Sequence, residues 1–167
     1  MNNAGKAEKG FTLIELIMGV IILGILAMSV SLRMPSTPSL TLTARAEQLA
    51  SDIRYAQMLS VTGGQRYCLT LTPSSPYSGY SITTGTSVCT TTTTHPSGLS
   101  QPVQPCGGAT CITAPALTNN YLQFDTLGQP YTAPTTLLAA AAVITLSDSG
   151  STQTVTVTPV TGRVSVP

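Results

Sequence analysis

The chain of 167 residues is long enough for one ordinary domain, or for a small domain with an added segment. Its 7 basic and 6 acidic residues make only 8% of the chain, against roughly 25% in soluble globular proteins, and 28 Thr and 17 Ser supply hydroxyls in their place. A net charge of +1 argues against a strongly basic nucleic-acid binder, 42% hydrophobic content argues against charge-driven disorder, and a single His leaves little for acid–base catalysis.

Both lysines, Lys6 and Lys9, stand with Glu8 in the first ten residues. Residues 11–32 then form a run of 22 with one charge, Glu15. A helix of that length spans roughly 30 Å, the thickness of a bilayer's hydrocarbon core. The run has no polar face, which disfavours a buried globular helix. Lysines before it place the N-terminus in the cytoplasm and the remainder across the membrane. A secretory signal has a shorter apolar core and a small-residue cleavage site, whereas Arg33-Met34-Pro35 follows here. A lone carboxylate in a membrane helix costs a few kcal/mol and is a functional candidate by default.

Lys9-Gly10-Phe11-Thr12-Leu13-Ile14-Glu15-Leu16 resembles the class III signal of type IV pilins and type II secretion pseudopilins. The resemblance implies cleavage by prepilin peptidase between Gly10 and Phe11, removing a cytoplasmic leader at 1–10, and N-methylation of Phe11. It also implies that Glu15 attracts the Phe11 amine of a neighbouring subunit. An isolated charge in lipid needs an opposite charge from a partner, which agrees. A transmembrane and assembly helix is placed at 11–34.

Pro35 and Pro38 interrupt or bend the helix, and an amphipathic helical segment is placed at 35–63. Within it, Leu42, Ala46, Leu49, Ile53 and Ala56 recur at three- and four-residue spacing and face a core, while Arg45, Gln48, Asp52 and Tyr55 form a solvated face. Gly63-Gly64 supplies the stop. From there the period turns to alternation. Strands are expected at 66–71 and 79–84, joined through Pro73-Ser74-Ser75-Pro76, at 121–124, at 143–147 and 152–158 around Asp148-Ser149-Gly150, and, after a further turn at Val160-Thr161-Gly162, at 163–166. Residues 88–116, rich in Thr, Ser, Pro and Gly, read as an irregular surface loop. The fold class is α+β: a long N-terminal helix, half membrane and half amphipathic, packed on an antiparallel β-sheet head at 64–167.

Ala44-Arg45-Ala46-Glu47, Arg54-Tyr55-Ala56-Gln57, Phe124-Asp125-Thr126-Leu127-Gly128-Gln129-Pro130 and Thr161-Gly162-Arg163-Val164 follow one another in the chain. Their order and spacing resemble H-type minor pseudopilins and FimT-like minor pilins, especially the C-type minor pilins of mannose-sensitive haemagglutinin (MSHA) pili. This resemblance implies a structural subunit without enzymatic activity.

Cys68, Cys89, Cys106 and Cys111 all follow the membrane run, on an oxidising side where disulfides are the default. Of three pairings, proximity favours Cys106–Cys111 and Cys68–Cys89. Zinc is disfavoured, with no Cys-x-x-Cys and one imidazole, His95. His95, behind five threonines and with no carboxylate within 25 residues, reads as a solvated loop residue. Asp125 is expected to bond backbone amides in the turn that follows it.

The expected function is that of a minor structural subunit of a type IV pilus, incorporated after prepilin peptidase cleavage and helping to prime the filament. The alternatives are an H-type minor pseudopilin of type II secretion, then a DNA- or surface-binding minor pilin. Partners are prepilin peptidase, other pilin or pseudopilin subunits and the inner-membrane assembly platform. The protein is expected in the inner membrane with a periplasmic head, and later in the filament. No cofactor, metal or catalytic residue is expected, and few cations remain in the head for nucleic acid.

Overall fold

Thr12 opens the first helix, α1 (Leu13–Ser31), by accepting the Glu15 amide on its carbonyl (3.1 Å) and hydroxyl (3.4 Å) oxygens. A hydroxyl residue three positions before Glu is the ordinary start of a helix, and the carboxylate in the first turn suits the positive end of the helix dipole. The computed structural model describes residues 12–31, 37–72, 75–85, 89–107, 109–117 and 119–167. Lys6, Lys9, Gly10, Phe11, Arg33 and Pro35 lie outside them. The chain divides into two units, Met1–Ser36 and Thr37–Pro167.

In the first unit, every large apolar side chain from Leu13 to Ile25 faces outward, from 44% exposed at Ile17 to 78% at Leu13. Within this unit none of them has a core to enter. Among the described residues no helix is long and apolar enough to cross a membrane. The described side chains of α1 stop at Ile25, part-way through the apolar run of the sequence.

The second unit begins with α2 (Thr37–Gly63). Pro38 sits in its first turn, where the missing amide removes no helical bond, and Gly64, at φ 64°, ends it. Leu42, Ala46, Leu49, Ile53 and Ala56 are fully buried, as their spacing requires.

Two antiparallel sheets cover this face. The first contains β1 (Tyr67–Thr72), β2 (Gly79–Thr84), β3 (Thr91–Thr92), β5 (Tyr121–Phe124), β6 (Pro130–Ala133) and β7 (Thr136–Leu137), in the order β3-β2-β1-β5-β6-β7. The second holds β4 (Ile112–Thr113), β8 (Ala142–Asp148), β9 (Ser151–Val157) and β10 (Val164–Ser165), in the order β10-β9-β8-β4. Helix α2 packs on β1 and β5 of one sheet and on β8, β9 and β10 of the other. One core joins Leu49 and Ile53 to Leu69, Ile82, Leu122 and Phe124, and to Ile144, Leu146, Val155 and Val157.

The β8–β9 hairpin follows from its sequence. Val155 and Val157 are buried while Thr154 and Thr156 stay half-exposed. Asp148 pairs with Ser151 across Ser149 (φ 49°) and Gly150 (φ 84°), and two positive φ values match the right-handed twist of the strands. The strands around 67–72 and 79–84 pair throughout, from Tyr67–Thr84 to Thr72–Gly79. Pro73 and Ser74 of their connection lie outside the described residues.

The stretch 88–116 differs from the expected surface loop. It contributes β3 and β4, the bridges Tyr77–Ile112 and Tyr80–Val103, and buried Val103 and Ile112. Disulfide anchoring and pairing to Tyr77 and Tyr80 give this polar segment a packed inner side. Strands β6 and β7 have no expected counterpart. Arg66 fixes them by donating to Gln123 Oε1 (3.1 Å) and to the Pro134 carbonyl and by stacking 4.8 Å over the Tyr131 ring.

Candidate functional site

Glu15, the proposed assembly carboxylate, is exposed in the first turn of α1. Its partner by resemblance, the Phe11 amine, and the cleavage position at Gly10 lie outside the described residues. The four cysteines are brought together as Cys68–Cys89, with Cα atoms 6.1 Å apart, and Cys106–Cys111, at 6.3 Å. The first bridge ties β1 to the segment leading into β3. The second closes a small loop before β4.

Two residues read as solvated are buried instead. Asp52 on α2 and His95 behind β3 are 4% and 6% exposed, and Asp52 Oδ2 lies 3.1 Å from His95 Nε2. Tyr80 of β2 donates to the same oxygen at 2.7 Å. The Ser97 amide donates to His95 Nδ1 at 3.2 Å, which places the ring proton on Nε2, toward Asp52. That approach is close but makes no hydrogen bond, and among the described residues Nε2 has no hydrogen-bond partner. Burial first, then the Asp52 carboxylate, pushes the Tyr80 phenol well above its ordinary value.

The periodicity of α2 explains the misplacement. At 100° per residue Asp52 sits about 80° from the middle of the apolar stripe. A helix against one sheet would leave it at the edge, but here two sheets and the 89–101 segment widen the buried arc. The imidazole is only 1% exposed, so the Asp–His pair has no access to a substrate. It ties the threonine-rich segment to the helix. Beside it is an open pocket of about 300 Å³ lined by Thr92, Thr94, Leu99, Gln101 and His95 itself, whose ring adds almost no exposed surface to it.

Asp125 accepts the Leu127 (2.9 Å) and Gln129 (2.8 Å) amides on Oδ1 and the Tyr131 hydroxyl (3.3 Å) on Oδ2. It holds its turn as its position before Gly-Gln-Pro suggests. Asp148 pairs with Arg45 at 2.8 Å and accepts from Ser149 at 2.9 Å. The Ser149 and Arg45 bonds hold its carboxyl below the usual value. Gln57 of α2 reaches two turns with one amide nitrogen, donating to the Gly128 carbonyl (2.8 Å) and the Thr161 carbonyl (3.0 Å). Among the described residues no group of three or more His, Cys, Asp and Glu could hold a metal ion.

A model described as the prokaryotic N-terminal methylation motif matches residues 5–31, and one described as type II transport protein GspH matches residues 45–162. No curated protein matches the chain significantly. Among solved structures, the type IV minor pilin FimU of Pseudomonas aeruginosa is similar in two crystal forms. One is 16% identical, with a TM-score of 0.50, over 80% of this chain and 92% of that one. The other is 14% identical, with a TM-score of 0.49, over 75% and 92%. At that identity the first shows a shared α+β fold. The GspH match spans more than two-thirds of the chain, behind a methylation motif, and the chain therefore belongs to the GspH family of pilin- and pseudopilin-type structural subunits, which are not enzymes.

Proposed function

We propose that the protein is a minor, MSHA-like subunit of a type IV pilus. It is cleaved between Gly10 and Phe11 by prepilin peptidase, methylated at Phe11, and held in the inner membrane with a periplasmic head until assembly. The observation carrying this reading is α1, whose apolar side chains from Leu13 to Ile25 all face outward. Apolar surface on every side of a helix needs lipid, and then other such helices, to cover it. Glu15 would pair with the Phe11 amine of a neighbour in that second environment. Such a subunit would act early, priming the filament through the inner-membrane platform.

The description of the matching family, a type II transport protein, favours a pseudopilin as the second reading. DNA capture has less support, because Arg45 is paired with Asp148 and Arg66 is engaged within the head. Mass spectrometry of the protein from sheared surface filaments and from inner membranes separates the readings. A chain starting at methylated Phe11, present in filaments at low copy, is expected. The same chain confined to membranes would favour the pseudopilin, and a chain still starting at Met1 would overturn both.

A further inference from the structure

Val160 sits at the centre of a γ-turn, with the Thr161 amide donating to the Pro159 carbonyl at 2.7 Å and φ at 65°. Positive φ is the rarer and strained form of this turn, and it is worst for a β-branched residue. Among the described residues the other positive-φ positions hold Asn120, Ser149 and glycines. Here a valine is held instead, with its side chain 65% exposed. A strained exposed apolar residue gains nothing for the isolated head, and such outliers cluster at functional surfaces.

Its surroundings are of one kind. Met58 and Val61 on α2 and Leu127 in the Asp125 turn are 52%, 53% and 77% exposed. Gln57 clasps both turns to the helix. An added Cβ on Gly128 would lie 3.3 Å from Val61, and one on Gly162 would lie 2.5 Å from the Gln57 amide nitrogen. The turns are thus packed tightly on α2, and the apolar groups are presented on a rigid frame. Two cations border them: Arg54, one helical turn before Met58, and Arg163, next to the γ-turn. Arg54 donates to the Val164 carbonyl at 3.1 Å, and among the described residues neither arginine has a carboxylate within salt-bridge distance.

From this geometry we infer that Met58, Val61, Leu127 and Val160, flanked by Arg54 and Arg163, form a docking surface for the head of a different pilin-type subunit, one presenting apolar side chains beside a carboxylate. Charge complementarity selects that occupant. This surface carries two arginines without a carboxylate partner, while the carboxylates beside it, Asp52 and Asp125, are consumed by Tyr80 and by the Asp125 turn. The exposed Glu47 lies two helical turns before Arg54, roughly 10 Å along α2 and away from Val160. A second copy would therefore bring arginines against arginines. The inference rests on the filament-subunit reading.

The test places a benzophenone amino acid at Leu127 in the full-length chain in its source cell, with Thr152, exposed on β9, as control. The expected result is a light-dependent adduct from Leu127, absent from Thr152, with a different chain bearing a prepilin-type N-terminus. Arg163→Glu should reduce the adduct about tenfold. Val160→Asn, which relieves the turn but removes the apolar group, should also reduce it while raising the Tm of the full chain by about 3 °C. An adduct with a second copy, adducts with lipid alone, no adduct, or one indifferent to Arg163→Glu would overturn the inference. The N-terminus is read in the same samples. Methylated Phe11 without an adduct defeats only the docking surface, and a Met1 start defeats the functional reading beneath it.

Discussion

Replacing Tyr80 with Phe removes one oxygen from the centre of the head and leaves the ring in place. The lost hydroxyl lies 2.7 Å from Asp52 Oδ2, with Tyr80 1% and Asp52 4% exposed. In Tyr80→Phe the buried carboxylate keeps only the poorly aligned His95 Nε2, 3.1 Å away. A hydrogen bond to a charged group is worth about 1.5–3 kcal/mol, and no cavity term arises because the ring volume stays. For a folded unit of this size that corresponds to a fall in Tm of roughly 5–10 °C. Thermal unfolding of the oxidised full-length chain in detergent at pH 7 reads it. Asp52→Leu with Tyr80→Phe should cost less than the two changes summed, because the double variant leaves neither the Tyr80 hydroxyl nor the Asp52 carboxylate without the other, while His95 Nε2 is unpartnered in both Asp52→Leu variants alike. The phenol also gives a pH signature. Its folded value is raised above 10.0, so the stability it contributes is present below pH ~10 and lost above it, where only the unfolded chain releases the proton. The gap between wild type and Tyr80→Phe should therefore narrow above pH ~10. A Tm within 1 °C of wild type, set against the roughly 5–10 °C expected, or strict additivity in the double variant, would refute the tie.

Gly162→Ala should lower stability by about 2–3 kcal/mol, because at φ 64° its Cβ would lie 2.5 Å from Gln57 Nε2 and 2.9 Å from the Gly128 carbonyl; an unchanged Tm would mean the clasp is loose. The Asp148 carboxyl is depressed by Ser149 and Arg45, so its stabilisation is present above pH ~4 and lost as the pH falls through the lower folded value. The Tm difference from Asp148→Asn should then vanish in strong acid, and a persistent difference would contradict it. Removing Cys68–Cys89, which spans 21 residues, should destabilise by about 3 kcal/mol, and removing Cys106–Cys111, which spans 5, by about 2 kcal/mol; non-reducing thermal scans of the two double-alanine variants would show the order. Glu15→Val should leave membrane fractionation unchanged and reduce filament incorporation, and normal incorporation would remove the proposed pairing with Phe11.

What could be read from the sequence is what depends on neighbours in the chain. The stripe from Leu42 to Ala56, the alternation in β9, the Ser149-Gly150 turn and the Asp125 turn are set by residues within a few positions. Strand β5, Tyr121–Phe124, was legible as a strand, although its central place beside β1 was not. The Asp52–His95 contact was hidden because it joins residues 43 apart through a segment whose composition resembles a solvated loop. Asp52 also lies at the margin of the helical stripe, where burial depends on how many sheets wrap the helix. A turn at Val160-Thr161-Gly162 was legible, but its γ form with positive φ at Val160 was not. Valine is the residue least expected at positive φ, so local propensity points away from the conformation adopted.

A head with so few charges must hold its long connections by other means, and the side-chain amides do much of it. Gln57 clasps two turns to α2, and Gln101 joins the Ile82 amide to the Thr93 carbonyl. Buried Gln123 accepts from Arg66 and donates to the Gly85 carbonyl. Each amide offers a donor and an acceptor without the desolvation of an ion. Three of the head's four acidic side chains, Asp52, Asp125 and Asp148, are likewise committed within it, while Glu47 stays exposed on α2. Arg54 and Arg163 are not matched in this way. Among the described residues neither has a carboxylate within salt-bridge distance, and beside the apolar groups around Val160 they mark where a partner's carboxylate would fit.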